Sequence, residues 1–118
     1  MTEIPAGALA AGEWIVTAIG AALVGDASPP TLTFTREGHV AGTTGINRFS
    51  GAYALEGVVL TIGPVLMTRM AGPEHLMEQE RLFTAALEGA TAVLLEGDTL
   101  TLGGETPLTL RAAGPEPA

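Results

Sequence analysis

The chain has 118 residues, enough for one domain with its own core, and 47% of it is apolar while only 4% is aromatic. Thirteen acidic residues face five arginines and no lysine, a net charge of −8, which argues against a general nucleic-acid or anionic-membrane surface. With no cysteine there is neither a disulfide framework nor a thiolate zinc site, and no apolar run is long enough to span a membrane.

Residues 1–12 read as a flexible N-terminal segment. "MTEIPAGALAAGEW" has an early Glu and no basic region, so it is not a signal peptide as written. "EWIVTAI" (Glu13 to Ile19) is β-branched and apolar and predicts a first strand. "GAALVGDASPP" predicts a loop closed by Pro29 and Pro30. "TLTFT" (Thr31 to Thr35) alternates with period two, "REGH" turns, and "VAGTT" returns as the hairpin partner. In "NRFSGAYAL" the alternation puts Phe49, Gly51, Tyr53 and Leu55 on one face. Arg48, Ser50, Ala52 and Ala54 fall on the other. "EG" turns into "VVLTI", and "GPVLMTRMAG" follows as an extended stretch in which Pro64 disfavours a central ladder position.

Pro73 suits a helix start, and Leu76, Met77, Glu80, Phe83 and Leu87 follow at helical spacing, predicting a helix over 73–88 that ends at Gly89. "TAVLLE", "TLTLG" and "PLTLR" are three closing strands separated by hairpin signals. Residues 112–118 read as a disordered tail. Together these elements predict an α+β, mainly β chain. It would be an antiparallel wrapped sheet or small barrel-like fold of about eight short strands with one helix packed against it.

Candidate chemistry is sparse. Ser50 with His39 or His75 is the one conceivable nucleophilic set, but "RFSGA" lies in a strand and is no G-x-S-x-G elbow. His75 and Glu78 share a helix face, and nothing completes a metal set around them. "GTTG" precedes no helix and makes no phosphate loop. Arg48 and Arg69 lie in the two least generic segments. Each suits either an internal role, pairing with a helix glutamate or capping rim carbonyls, or a small anion- or peptide-terminus-binding patch. Met67, Met70 and Met77 cluster near the helix entry and read as core filling, with a promiscuous apolar groove as the alternative.

The stretch "PTLTF…GHVAGTTGINRFSGAYALEGVVLTIGPVLMTRMAGPEHLMEQERLFTAAL" resembles the META domain, or HslJ-like, family. The match rests on Trp14, Gly45, Asn47, Phe49, Gly51, Tyr53, Thr68, Met70, Ala71, Glu80 and Phe83, and covers residues 13–111. Ile46 and Gly72 stand where many members carry cysteines. A link between those two positions cannot form here, so Ile46 is expected to pack and Gly72 to cap the helix. The resemblance implies a wrapped β-sheet with one helix and carries over no catalytic residues, which supports a non-enzymatic reading; no cofactor and no metal are expected. It associates the chain with stress response and with the cell envelope or export, a cytoplasmic location being the alternative.

The combined reading is a non-enzymatic binding or structural module for a protein, a peptide or an apolar ligand, with Asn47, Arg48, Tyr53 and Arg69 as candidate binding residues. A hydrolase using Ser50 with a His, and a stability-only accessory domain of a longer protein, are the alternatives.

Overall fold

The computed structural model describes residues 6–113 apart from 11 and 26. The expected tail lies almost wholly outside the described residues. Among the described residues ten strands and two helices follow in order: α1 (Ala6–Leu9), β1 (Trp14–Ile19), β2 (Ala22–Leu23), β3 (Thr31–Phe34), β4 (His39–Thr43), β5 (Arg48–Glu56), β6 (Val59–Ile62), β7 (Leu66–Met67), α2 (Glu74–Glu88), β8 (Ala90–Glu96), β9 (Thr99–Gly104) and β10 (Leu108–Ala112).

Eight strands close an antiparallel barrel in the order β10-β9-β8-β6-β5-β4-β3-β1, sealed by pairing of β1 with β10. The other two are short. β2 pairs with β1 beyond the reach of β3, and β7 pairs with the first residues of β5. Both fall in stretches expected to be a loop or merely extended, because a two-residue strand is too short to show alternation.

The barrel interior is filled by the inward set of each strand. Val16, Leu32, Phe34, Val40, Phe49, Leu60, Val93, Leu100, Leu102, Leu108 and Leu110 are all buried. The expected alternation in β5 holds: Phe49 is buried and Arg48, Ser50, Ala52 and Ala54 are exposed. Helix α2 packs Phe83, Ala86 and Leu87 into this core and touches β1, β10 and β6. Phe83 meets Phe49 edge to face, with ring centroids 5.5 Å apart. Pro73 is the N-cap itself and has no side-chain capping bond, so Gly72 does not supply the cap.

The N-terminal segment expected to be flexible contributes α1, whose Leu9 is fully buried. The Trp14 indole N–H donates to the Leu9 carbonyl at 3.0 Å, anchoring the turn on the first strand. Four residues are too few for a helical period, so the anchor was not visible as a pattern.

Candidate functional site

The turn between β4 and β5 is built around Asn47, one of two buried polar residues among those described, the other being Thr44. Gly45 sits at φ +110°, and a Cβ there would meet the Ser28 carbonyl oxygen at 2.7 Å, so only glycine fits. Asn47, two residues on, is a residue type that also tolerates that left-handed backbone. It does not adopt it, since all described residues with positive φ are glycines. Its side chain is what the turn needs.

Asn47 uses every hydrogen-bonding position of its amide. Nδ2 donates to the Met70 carbonyl at 3.1 Å and to Glu80 Oε2 at 2.7 Å. Oδ1 accepts from Thr68 Oγ1 at 2.8 Å and from the Met70 N–H at 2.7 Å. Thr44 Oγ1 donates to the same Glu80 oxygen at 2.6 Å and accepts from the Asn47 N–H at 3.0 Å. Gln79 adds a bond from Nε2 to the Ser28 carbonyl at 3.0 Å. One asparagine thus ties the β4–β5 turn, the segment after β7 and helix α2 into a single knot. Thr68, Met70 and Glu80, scattered along the chain, are its members. No buried side-chain nitrogen or oxygen among the described residues lacks a partner. The knot is satisfied within the protein, and its amide has no hydrogen-bonding position left for a ligand.

Ile46 and Gly72 lie in contact beside it. A Cβ built on Gly72 would fall 2.6 Å from Ile46 Cγ2 and 3.5 Å from Ile46 Cβ. Ile46 therefore packs, as expected, and it packs against Gly72.

The knot holds an exposed surface in place. Arg48 donates its N–H to Thr68 Oγ1 at 3.0 Å and accepts from the Thr68 N–H at 3.0 Å. Arg48 is thus the ladder neighbour of the residue before Arg69. Both arginine side chains are exposed, and neither makes an ion pair or side-chain hydrogen bond among the described residues. The internal pairing considered for them does not occur there. Leu66, opposite Ser50 in the ladder, is 79% exposed. Met70 is 62% exposed and Met77 45% exposed, so of the three methionines expected to fill the core only Met67 packs against it. Met77 lies one turn before Glu80 on the same face of helix α2.

Tyr53 belongs elsewhere. It lies on the inner face of β5, half-buried, and its hydroxyl donates to the Thr35 carbonyl at 2.6 Å. Its ring meets Phe34 edge to face at 4.9 Å. Burial, followed by the charge of Glu37, raises its hydroxyl above the usual tyrosine range. The structure therefore groups Asn47, Arg48 and Arg69 and leaves Tyr53 apart.

Ser50 and His39 are both exposed on the outer face, His39 opposite Ala52 and Ser50 opposite Ala41. No hydrogen bond joins them. Glu78 is taken by Arg81, whose guanidinium bonds it at 2.6 Å and holds its carboxyl below the usual range. Among the described residues no group of three or more His, Asp or Glu could hold a metal ion.

The META domain family model matches residues 7–114. One solved NMR structure is 26% identical, with a TM-score of 0.76 over 93% of this chain and 96% of that one. A second, from Burkholderia xenovorans, is 26% identical with a TM-score of 0.71, covering 98% of this chain and 92% of that one. A crystal structure of a DUF4847-family protein from Bacteroides vulgatus, 16% identical, shares the fold with a TM-score of 0.66 over 87% of this chain and 93% of that one. No curated protein matches the chain.

Proposed function

The chain belongs to the META domain family, and from the surface carried by the Asn47 knot we propose that it is a non-enzymatic module that binds protein or peptide segments. The observation that carries this reading is the exposure of Leu66, Met70 and Met77 on segments tied together by four hydrogen bonds to one buried asparagine, two of them to the Met70 backbone. A stable knot positions apolar side chains in water, where burial under a partner is favourable at about 25 cal/mol per Å². Methionine adapts its shape to different guests, which suits a surface for unstructured segments. Fixing the backbone beforehand lowers the ordering cost of binding. A role in stress response or in the cell envelope is consistent with a module of this kind that captures exposed apolar segments.

Selection of random peptides against the purified domain, with bound peptides mapped by amide chemical shifts, tests the reading. Selected peptides should perturb residues 46–49 and 66–70. A triple variant Leu66→Ser, Met70→Ser, Met77→Ser should lose them while keeping its thermal stability. Peptides that map to another face, or that bind the triple variant equally well, would overturn it.

A further inference from the structure

We infer that the segment received by this surface is acidic as well as apolar, and that Arg48 and Arg69 read its carboxylates. This rests on the docking reading above and adds the partner's chemistry. The chain has five cations against thirteen acids. Arg81 is engaged by Glu78. The guanidinium of Arg36 lies against the N-terminal turn, where a Cβ on Gly7 would meet it at 2.9 Å. Arg111 lines a separate cleft of about 350 Å³ on the barrel wall with Ile15, Val24 and Pro29. Of the remaining two, Arg48 lies in the ladder beside Leu66, and Arg69 precedes Met70 in the chain.

Their placement follows from the ladder. Ser50 faces Leu66, so Arg48 is the diagonal neighbour of Leu66 on the outer face, about 7–8 Å away along the sheet. Arg69 precedes Met70, whose N–H and carbonyl are both held by Asn47. Arg48 is thus set beside Leu66 and Arg69 adjoins Met70 in the chain, each able to take a carboxylate bidentately. On a molecule of net charge −8 a basic partner is attracted to much of the surface, whereas an acidic one is favoured only beside local cations. Arg48 and Arg69 are the cations that an acidic segment docking beside Leu66 and Met70 would meet. Nucleic acid fits less well. Trp14, Phe34, Phe49 and Phe83 are buried, leaving no aromatic platform here for bases.

Two synthetic peptides with the same leucines and phenylalanines test this, one with Asp and Glu between them and one with Ser and Gln. Binding is read by fluorescence anisotropy at low and high salt, and the site by amide shifts. The acidic peptide should bind about tenfold tighter at low salt, with the advantage shrinking as salt rises. Arg48→Gln with Arg69→Gln should bring its affinity down to that of the neutral peptide and leave the neutral one unchanged. Arg36→Gln with Arg111→Gln, which removes the same charge elsewhere, should preserve most of the preference. Equal binding of the two peptides to the unaltered protein would overturn the inference. So would a preference erased equally by both arginine pairs, or a single-stranded oligonucleotide that shifts the same amides as strongly. If the neutral peptide still binds at residues 46–49 and 66–70, the docking reading survives those results. If neither peptide moves those amides, the docking reading itself fails.

Discussion

At the scale of the residue, Asn47 decides most. Replacing it with Ala removes four side-chain bonds and leaves Thr68, Glu80 and the Met70 backbone short of partners. A loss of about 3 kcal/mol is expected, seen as a lowered urea midpoint. Asn47→Asp keeps the shape but sets a second carboxylate where Nδ2 now lies 2.7 Å from Glu80 Oε2. Two such carboxylates hold a shared proton more tightly when folded than when unfolded, so the deficit should shrink as pH falls and grow as it rises. If the deficit of Asn47→Asp ignores pH, the turn relaxes away from Glu80. Tyr53 gives an alkaline counterpart. The chain has no Lys, no Cys and one Tyr, so between about pH 9 and 12 this is the side chain that titrates. Its raised folded value means the neutral form is favoured by folding. The associated stability is complete below the unfolded value of about 10 and is lost as pH rises through the folded one. Tyr53→Phe should flatten that decline, measured as thermal midpoint against pH. The outward Arg48 was legible from alternation alone. The partners of Asn47 were not, because Glu80 is 33 residues away and no local spacing announces it.

At the scale of the element, strands and turns could be read wherever alternation ran for four residues or more, as in β3, β5 and β9. The helix was equally clear, since Leu76, Phe83 and Leu87 set its period and Gly89 its end. The methionines misled because composition favours burying them, whereas Met70 sits in a connection pinned through its backbone and its side chain is left outside. The Ile46–Gly72 contact supplies a prediction about how these elements are joined. The Cβ separation of 3.5 Å at this pair lies at the short end of the disulfide range. Ile46→Cys with Gly72→Cys should oxidise readily and tie the β4–β5 turn to the helix entry. Closing a loop of about 25 residues should add roughly 3 kcal/mol, read as a higher thermal midpoint that falls on reduction. Gly72→Ala alone should destabilise, since its new methyl meets Ile46 Cγ2 at 2.6 Å. A double variant that stays reduced under air would mean that the two segments separate in solution.

At the scale of the whole molecule, alternation predicts a sheet without saying that it closes. Closure depends on β1 meeting β10, and one such link, from Thr17 Oγ1 to the Thr109 carbonyl, spans 92 residues. The register of that pairing is a property of all the intervening strands together, through their tilt and stagger. The barrel is not equally secure around its circumference. β8 and β9 pair along nearly their full length, and β4 pairs along its whole length with Arg48–Ala52 of β5. β6 meets β8 at the single bridge Val59 to Ala92, with the Val93 N–H donating to the Val58 carbonyl at 3.0 Å. This thin seam falls where the chain leaves the sheet to form β7 and α2. Backbone opening should begin there, because few ladder bonds must break to admit water. Hydrogen exchange under native conditions checks it. The Val93 amide should exchange about tenfold or more faster than amides within the β4–β5 ladder, and added denaturant should bring the two toward a common global rate. If Val93 instead exchanges at the global rate throughout, the packing of Leu60, Val93 and Phe83 across the seam, and not the ladder, holds the barrel shut.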